Sequence, residues 1–435
     1  MTQLIASIVT VGDELLVGQV VDTNATYLAA ELTRLGISVS YSLTVGDDQE
    51  AIKAAIEDGM RCCGLTLVTG GLGPTSDDLT REAAAAFTGS CLTVDPTVLA
   101  AIERYFASLG RSVPSGSERV ASIPDGFEIF PNSEGTAPGL WHKGANENVV
   151  VLLPGVPHEM KAIFSDHVIP RITQMDGRAE TAQRTIKTAG VGETLLQSKI
   201  ESISHLLEPD LRVAYLPGAY GVRVRLTIRG NDAGKRLDAA GKCVRTKLGS
   251  VIFGQDDDTL ESVLGSLLRS RGMTIAIAES CTGGLVLNQL TDVPGSSDYV
   301  LGGVIAYSNL VKQYQLDVDV DMLDQFGAVS ELVAVQMAEG VRTRFGSDIG
   351  LSVTGIAGPS GGTAEKPVGL VWIGYADAHE AWAVKHQFGH DRDRNKQKSA
   401  VAALNLALQS LRKRSNRSSN TDFSSDEPGK VGEKV

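Results

Sequence analysis

In the C-terminal half, the residues that could do chemistry lie directly behind predicted strands. Ser280, in AESCTGG, follows a predicted buried strand and precedes a predicted helix, so its hydroxyl would lie beside free backbone N–H groups. Such groups can stabilise an oxyanion or bind a phosphate. A serine hydroxyl needs a nearby base to become a nucleophile, and Tyr307 and Lys312 follow another predicted strand. These residue types together are typical of covalent catalysis.

Two simpler interpretations of the AESCTGG segment remain open. Ser280 or Thr282 can cap the following helix, which is the commoner use of these residues at such a position. Cys281 is a rival nucleophile, although a small thiol there is by default a buried apolar residue.

Two later segments could hold an anionic or ribose-bearing substrate. VTGIAGPSGG (353–362) places Thr354 and several glycines behind a strand, where the backbone is available to a ligand. GHDRDRNK places Arg392 and Arg394 at the start of the last predicted helix, where a guanidinium can clamp a phosphate. Each segment is a weak signal alone, but together they favour an enzyme site.

A second group of candidate residues lies near the N-terminus. Asp13 and Glu14 follow the first predicted strand, and Asp77 and Asp78 follow the third. A parallel sheet would bring both pairs to one edge, where ligands of open α/β sheets bind. Four carboxylates beside the glycine-rich TGGLGPTSDD segment suit a hard cation and a pyrophosphate. Equally, Asp13 and Asp77 could cap helices while the other two are simply solvated.

The elements that would position these residues alternate between strand and helix. Buried-strand runs at 4–11, 37–44 and 65–69 are separated by helical periodicity, which predicts a parallel, right-handed α/β sheet. The same alternation returns after residue 256 and ends in a helix from about 394 to 411. We therefore predict α/β domains at 1–170 and 256–412, a small α+β module at 171–255, and a disordered polar tail at 413–435.

The middle module has a different pattern. Residues 221–230 alternate strictly, with Val222, Val224, Leu226 and Ile228 on one face and arginines on the other, which predicts a sheet with one solvated face. Residues 211–250 hold nine Lys or Arg against two Asp, and GAYG (218–221) has GxxG spacing. A solvated surface explains these charges better than nucleic-acid binding, because a lone GxxG is weak evidence.

Composition limits the remaining possibilities. A chain of 435 residues is too long for one core, and its net charge of −12 disfavours a protein dedicated to nucleic acid or anionic membranes. No apolar run approaches the roughly 18 residues that a membrane span needs, and no secretory signal is evident, so we expect a cytoplasmic protein. The five cysteines and seven histidines show no zinc or disulfide spacing.

The C-terminal segments resemble the nicotinamide mononucleotide deamidase domain of the CinA family (competence/damage-inducible protein A). The resemblance rests on AESCTGG, TDVPGSS, LGGVIAYSN, GAVS, VTGIAGP and GGTAEKPVG. It implies an amidohydrolase of pyridine nucleotide salvage that releases ammonia from nicotinamide mononucleotide, forms nicotinic acid mononucleotide and needs no cofactor. Two departures are the SNLVK segment, where the family commonly has SNEAK, and GHDR, where it has GDR.

The resemblance also implies a role for each matching residue. Ser280 would be the nucleophile, Tyr307 and Lys312 would assist proton transfer, and Thr354 would line the site. The substrate contacts would come from Thr282, Gly283, Asn309, Gly355, Gly358 and Arg392, the last of these to the phosphate.

At the N-terminus, TVGDELLVGQVVDTN, TGGLGPTSDD and LPGVPHEM resemble the molybdopterin-binding-like, three-layer α/β domain of the same family, so the resemblance covers about residues 4–412. It implies ADP-ribose pyrophosphatase activity that depends on a divalent metal and yields AMP and ribose 5-phosphate. The implied phosphate contacts are Gly70, Gly71, Gly73 and Thr75, and the implied metal ligands are Asp13, Glu14, Asp77 and Asp78.

Two other functions and one assembly state are also expected or left open. The N-terminal domain could be a non-catalytic nucleotide or pterin binding module, or the protein could be an adaptor in competence and DNA recombination. The family resemblance further suggests a homodimer.

Overall fold

The computed structural model describes residues 4–175, 180–218 and 221–421, with side chains as far as residue 414. These residues form two compact units. The first unit contains residues up to 183 together with 228–235, and the second contains 184–227 together with everything from 236 onward.

The first unit is built on a six-stranded sheet, as the three predicted N-terminal strands require. Its strands are β1 (Ile5–Val11), β2 (Ser38–Val45), β3 (Leu65–Thr69), β6 (Glu128–Phe130), β7 (Gly139–Lys143) and β8 (Val149–Leu153), and a separate hairpin pairs β4 (Leu92–Val94) with β5 (Ser122–Pro124). The strand order is β2-β1-β3-β8-β7-β6. The first four strands in this order are parallel, as expected, but β7 and β6 are antiparallel to their neighbours. The parallel pairing predicted for the strands at 4–11, 37–44 and 65–69 is confirmed. The antiparallel strands β6 and β7 were not predicted; they alternate in direction because short connections join β6, β7 and β8.

Helices cover both faces of this sheet. They are α1 (Asp13–Leu16), α2 (Thr23–Arg34), α3 (Gln49–Cys62), α4 (Thr80–Thr88), α5 (Pro96–Ser108), α6 (Ser117–Val120), α7 (Pro157–Ile163) and α8 (Ile169–Ile172), with a π-helical turn at Phe164–Val168. Successive residues of β1 point to opposite faces, so Ile8 packs into one core and Val9 into another. The result is the predicted three-layer domain.

The middle module is a four-stranded sheet with two helices. Its strands are β9 (Thr181–Thr188), β10 (Arg212–Gly218), β11 (Gly221–Arg229) and β12 (Ile252–Gln255), in the order β10-β11-β9-β12, and its helices are α9 (Glu193–Glu201) and α10 (Ala233–Leu248). The alternation in β11 is confirmed, since Val222, Val224, Leu226 and Ile228 are all buried. Of GAYG, Gly218 and Gly221 pair with each other across the antiparallel strands β10 and β11, and the two central residues lie outside the described residues.

The C-terminal domain contains a five-stranded mixed sheet. Its strands are β13 (Ile275–Glu279), β14 (Val300–Ile305), β15 (Ile349–Gly355), β16 (Leu370–Ala376) and β17 (Ala381–Gln387), and its helices are α11 (Leu260–Ser270), α12 (Leu285–Thr291), α13 (Asn309–Leu316), α14 (Val320–Phe326), α15 (Glu331–Phe345) and α16 (Arg392–Thr421). The order is β14-β13-β15-β16-β17. Since β14, β13 and β15 are parallel neighbours, the segments that follow them emerge at the same edge.

The end of the chain differs from the expectation. The final helix does not stop near residue 411 but continues through Thr421, so the segment 413–421 is helical where a disordered tail was expected. The rest of the expected tail, residues 422–435, lies outside the described residues. Within the part of the chain that is described, no helix is both long and apolar enough to cross a membrane.

Candidate functional site

The turn that carries Ser280 begins where the buried strand β13 ends. The Ser280 amide donates to the carbonyl of Val353 on the neighbouring strand, at 2.9 Å, so the turn starts within the sheet. Gly283 and Gly284 follow in the left-handed region, with φ values of 65° and 97°, and allow the chain to turn sharply into α12. The predicted strand, turn and helix are therefore all present.

Ser280 contacts a buried lysine. The Lys312 Nζ atom lies 3.1 Å from the Ser280 Oγ atom and 2.6 Å from the carbonyl oxygen of Ala306. Lys312 is 1% exposed, and burial lowers its pKa from 10.5 to about 8. A neutral amine is therefore accessible near physiological pH, and a neutral amine is a base that can remove the serine proton.

The thiol beside the serine has the opposite tendency. Burial raises the pKa of Cys281 to about 12, and the nearby Glu279 carboxylate adds to the shift. Since the thiolate is the reactive form of cysteine, this environment disfavours Cys281 as nucleophile.

A cleft of about 270 Å³ opens in front of Ser280. Its lining comes from the turns behind β13, β14 and β15 and from the start of α16. The lining residues are Ser280, Cys281, Tyr307, Lys312, Ala328, Val329, Thr354, Gly355, Ile356, Ala357, Gly358, Ser360, Gly361 and Arg392. Seven of the expected site residues are thus brought together from four separate segments.

Three of these residues differ in detail from their expected roles. Tyr307 is 64% exposed, and its hydroxyl lies 3.5 Å from the guanidinium of Arg392 rather than beside Ser280. Of the two residues expected to assist proton transfer, Lys312 is therefore the one that contacts the serine. The Thr354 hydroxyl donates to the carbonyl of Ala328, so it ties the turn before α15 to β15. Arg392 donates to the carbonyl of Gly358 at 2.7 Å, which holds the guanidinium against the glycine-rich turn.

Three other expected substrate contacts lie outside the cleft lining. Thr282 is buried, and its hydroxyl has no hydrogen-bond partner among the residues that the structure describes, while Gly283 is exposed in the turn. Asn309 is the exposed first residue of α13, one position after Ser308, whose side chain caps that helix. The family resemblance implied these contacts, but none of the three residues is part of the cleft lining.

In the first unit, the first two residues of α4 bond the backbone of the glycine-rich turn behind β3. The carbonyls of Gly70 and Gly71 accept bonds from the side chain and the amide of Thr80, while those of Leu72 and Gly73 accept bonds from the Arg81 guanidinium. Gly70 has φ of 108°, and a Cβ atom there would lie 2.2 Å from the carbonyl oxygen of Val11. Only glycine fits this position, as the motif predicts.

Asp13 and Asp47 form a bonded pair at the acidic edge of this sheet. Asp13 and Asp47 exchange bonds, each carboxylate accepting from the other residue's amide at 3.3 and 3.0 Å. Burial raises the pKa of Asp47, and the negative charges of Asp13, Glu14 and Asp77 raise it further. Asp47 was not among the candidate site residues singled out from the sequence, and the helix cap of α3 is its neighbour Asp48.

The other carboxylates are partly engaged within the glycine-rich turn. The Asp78 carboxylate accepts from the amide and the hydroxyl of Thr75, so it stabilises the turn itself. In the described ranges, no three Asp, Glu, His or Cys side chains come close enough to form a metal cage. The oxygens present would suit a hard cation held by one or two carboxylates, and Asp13 and Asp47, which bond each other's amides, are the residues that would hold it.

Sequence reasoning missed several contributors. Ile356, Ala357, Ser360 and Gly361 line the C-terminal cleft, but only the neighbouring glycines were singled out. In the first unit, a small cavity of about 120 Å³ beside the glycine-rich turn is lined in part by Thr10, Asn24, Thr69 and Gly155. The DTN segment at 22–24 was quoted within a motif and could have pointed to Asn24, which bonds Thr69 and Gly155.

The architecture and the clefts define a multidomain α/β protein with a serine–lysine pair in its last domain. Family models match three consecutive segments: a probable molybdopterin binding domain at 7–174, the damage-inducible protein CinA KH domain at 183–254, and the CinA C-terminal domain at 257–411. A CinA-like protein of Salinibacter ruber is 49% identical over 408 residues, covering 93% of this chain and 99% of the relative. The chain belongs to the CinA family.

Other proteins are similar to this chain. A CinA-like protein of Microcystis aeruginosa is 43% identical over 412 residues, covering 93% of this chain and 99% of its own length. The crystal structure of the competence/damage inducible protein CihA from Agrobacterium tumefaciens is 37% identical, covers 35% of this chain and 93% of its own, and has a TM-score of 0.34.

Proposed function

We propose that the C-terminal domain hydrolyses the carboxamide of nicotinamide mononucleotide to nicotinic acid mononucleotide and ammonia. The observation that carries this proposal is the 3.1 Å contact between Ser280 and a buried lysine of lowered pKa. A serine with a lysine base is a known arrangement for acyl transfer. The choice of substrate rests on the resemblance to the deamidase domain and on the arginine at the cleft.

The reaction follows from the positions of these groups. Neutral Lys312 removes the hydroxyl proton as the Ser280 Oγ atom attacks the carboxamide carbon, and the carbonyl electrons move to oxygen. Backbone amides of the turn stabilise this oxyanion. When the tetrahedral intermediate collapses, the C–N bond breaks and Lys312 returns its proton to the departing ammonia. Water, deprotonated by the same amine, then hydrolyses the ester and restores Ser280.

The opposite side of the cleft is suited to the remainder of the nucleotide. Arg392 is the cation of the lining besides Lys312, and its guanidinium is held by the Gly358 carbonyl. A guanidinium binds phosphate in a defined orientation. Gly355 and Gly358 line the same cleft, and the sugar ring would lie against this part of the lining.

Ammonia release from nicotinamide mononucleotide by the purified full-length protein tests this assignment. Ser280→Ala should lose the activity, and Cys281→Ala, which changes the adjacent side chain, should retain it. Absence of ammonia from the wild type, or retained activity in Ser280→Ala, would disprove the proposal. Loss in Cys281→Ala with retention in Ser280→Ala would identify the thiol as nucleophile instead.

For the first unit, we infer hydrolysis of ADP-ribose to AMP and ribose 5-phosphate. The raised pKa of Asp47 supports this function, because four acidic groups around one position favour a bound cation. A divalent ion held by Asp13 and Asp47 would neutralise pyrophosphate charge. The amides of the glycine-rich turn would face the phosphates, since its carbonyls bond Thr80 and Arg81.

Hydrolysis of ADP-ribose, measured as AMP formation with and without added divalent ions, tests the second activity. Asp47→Asn should reduce turnover, while Asp48→Asn, which alters only the helix cap, should not. If Asp47→Asn and Asp78→Asn both cleave ADP-ribose at the wild-type rate, the carboxylates are not catalytic. Saturable binding of ADP-ribose without turnover would support a binding module instead.

A further inference from the structure

Glu279, the residue before the proposed nucleophile, is a buried carboxylate whose bonding is unusually complete. It is 1% exposed and closes strand β13. Its Oε2 atom accepts from the amides of Gly284 and Val286 at 2.9 and 3.2 Å, and its Oε1 atom accepts from the amide of Leu287 at 2.9 Å. Three donors at the start of α12 therefore bond one side chain rather than water or a ligand.

This bonding divides the amides of the turn into two sets. Those from Gly284 onward are bonded by Glu279, whereas the amides of Cys281, Thr282 and Gly283 have no acceptor on another residue of the described chain. Cys281 also lines the cleft. The unbonded amides thus lie next to Ser280, which is where an oxyanion would form.

Without the bonds from Glu279, the backbone between β13 and α12 would follow a different path. The first-turn amides of α12 would need other acceptors, and the turn could relax into the cleft to find them. Lys312 bonds both Ser280 and the Ala306 carbonyl, so its position is fixed from a separate strand end. The Ser280–Lys312 contact therefore depends on where the β13 turn is held.

We propose that Glu279 is a positioning residue for the amide hydrolysis assigned above: by bonding Gly284, Val286 and Leu287, it fixes the turn so that Ser280 contacts Lys312 and the preceding amides remain available to the oxyanion. This inference rests on the proposed function. The requirement is for a carboxylate, because both oxygens accept. In Glu279→Gln, one oxygen becomes an NH2 group, and at least one backbone N–H then faces a donor.

The test compares full-length Glu279→Gln with Glu261→Gln. Glu261 is a matched control, because it is also a buried carboxylate but lies in the first turn of α11, away from the turn that carries Ser280. We expect Glu279→Gln to lower kcat for nicotinamide mononucleotide about 100-fold, since a small displacement of a reacting group has that effect. KM should stay within about threefold, because the substrate contacts lie on other turns. Glu261→Gln should change neither constant.

Two measurements do not depend on catalysis. In Glu279→Gln, hydrogen exchange at the amides of Gly284, Val286 and Leu287 should accelerate. Alkylation of Cys281 by N-ethylmaleimide, followed by peptide mass spectrometry, should also accelerate, because the loss of the Glu279 charge removes one cause of the raised thiol pKa. Neither change is expected in Glu261→Gln.

These measurements separate the inference from the function on which it rests. A wild type that releases no ammonia would overturn the deamidase assignment, while exchange and alkylation would still show whether Glu279 holds the turn. A folded Glu279→Gln protein with wild-type kcat would overturn the positioning role. Equal losses of kcat in Glu279→Gln and Glu261→Gln would also overturn it, because they would indicate general destabilisation.

Discussion

The turn behind β3 and the turn behind β13 both contain glycines, and each is held by a buried charged side chain. The two side chains have opposite charges. Behind β3, the Arg81 guanidinium bonds the carbonyls of Leu72 and Gly73. Behind β13, the Glu279 carboxylate bonds the amides that open α12. The cation engages backbone acceptors of the first turn, and the anion engages backbone donors of the second.

The two candidate sites also differ in how closely their polar side chains are brought together. In the C-terminal cleft, the serine and its base are already in contact and are both buried. At the N-terminal edge, carboxylates lie near one another without converging on a common point in the described residues. Under the proposed functions, the C-terminal site would act with its own groups, whereas the N-terminal site would need ligands to complete it.

The largest expected effect is on the assembled pair. Lys312→Met should lower deamidase activity about 10²–10⁴-fold, as loss of a general base does. Lys312→Arg should be equally inactive, because arginine keeps the charge but does not release its proton. ADP-ribose hydrolysis should be unchanged in both variants. Activity in Lys312→Arg would show that the lysine acts only through its charge. The C-terminal cleft would then not differ from the N-terminal edge in holding a serine with its base.

A second effect concerns pH. Only the neutral form of Lys312 accepts a proton, and its pKa is about 8, so kcat/KM for nicotinamide mononucleotide should rise about tenfold per pH unit below 8 and level off above it. The direction follows from deprotonation, which increases the active fraction as pH rises. A pH profile from 6 to 10 measures it. A flat profile would mean that the amine is not the base.

The third prediction tests the turn behind β3. Arg81→Met removes two bonds from a charged donor, and we expect a loss of ADP-ribose turnover of about 10–100-fold, with deamidase activity retained. Thr80→Ser keeps its hydroxyl bond to Gly70 and should be close to wild type. If Arg81→Met fails to fold, Arg81→Lys, which keeps the charge with different geometry, provides the measurement. Full activity in a folded Arg81 variant would show that this turn needs no buried cation.

The smallest effect is expected at the mouth of the C-terminal cleft. Arg392→Ala should raise KM for nicotinamide mononucleotide about tenfold with little change in kcat, because the guanidinium contacts the phosphate and not the reacting carboxamide. Arg394→Ala, two positions along the same helix, is the control, since Arg394 does not line the cleft. A comparable fall in kcat would place Arg392 closer to the chemistry than the structure does.

Much of this organisation could be predicted from the sequence. Buried runs such as LIASIVTV and TIAIA located the strands, and the residues that follow them reach the cleft because parallel strands end at one edge of a sheet. The Ser280–Lys312 pair was found because both residues follow such strands. The antiparallel strands at one side of the N-terminal sheet were missed, because periodicity does not report strand direction.

The direction of side chains within turns was harder to predict. Thr282, Gly283 and Asn309 belong to the segments that carry the resemblance but lie outside the cleft lining, because a matching residue type does not fix which residues of a turn face a cleft. The pairing of Asp13 with Asp47 depends on the alignment of β1 with β2, which brings residues 34 positions apart into contact. A single sequence contains no local signal for that alignment.

The last helix limits how this protein can be divided. Arg412 donates to the carbonyls of Ile252 and Phe253 at 2.7 and 2.9 Å, and Gln409 donates to the carbonyl of Ser250. A shortened chain starting at residue 257 would keep every residue of the deamidase cleft but would leave these donors without their acceptors. Excising the deamidase as an independent module therefore calls for compensating substitutions on α16, such as Arg412→Gln, rather than a cut alone.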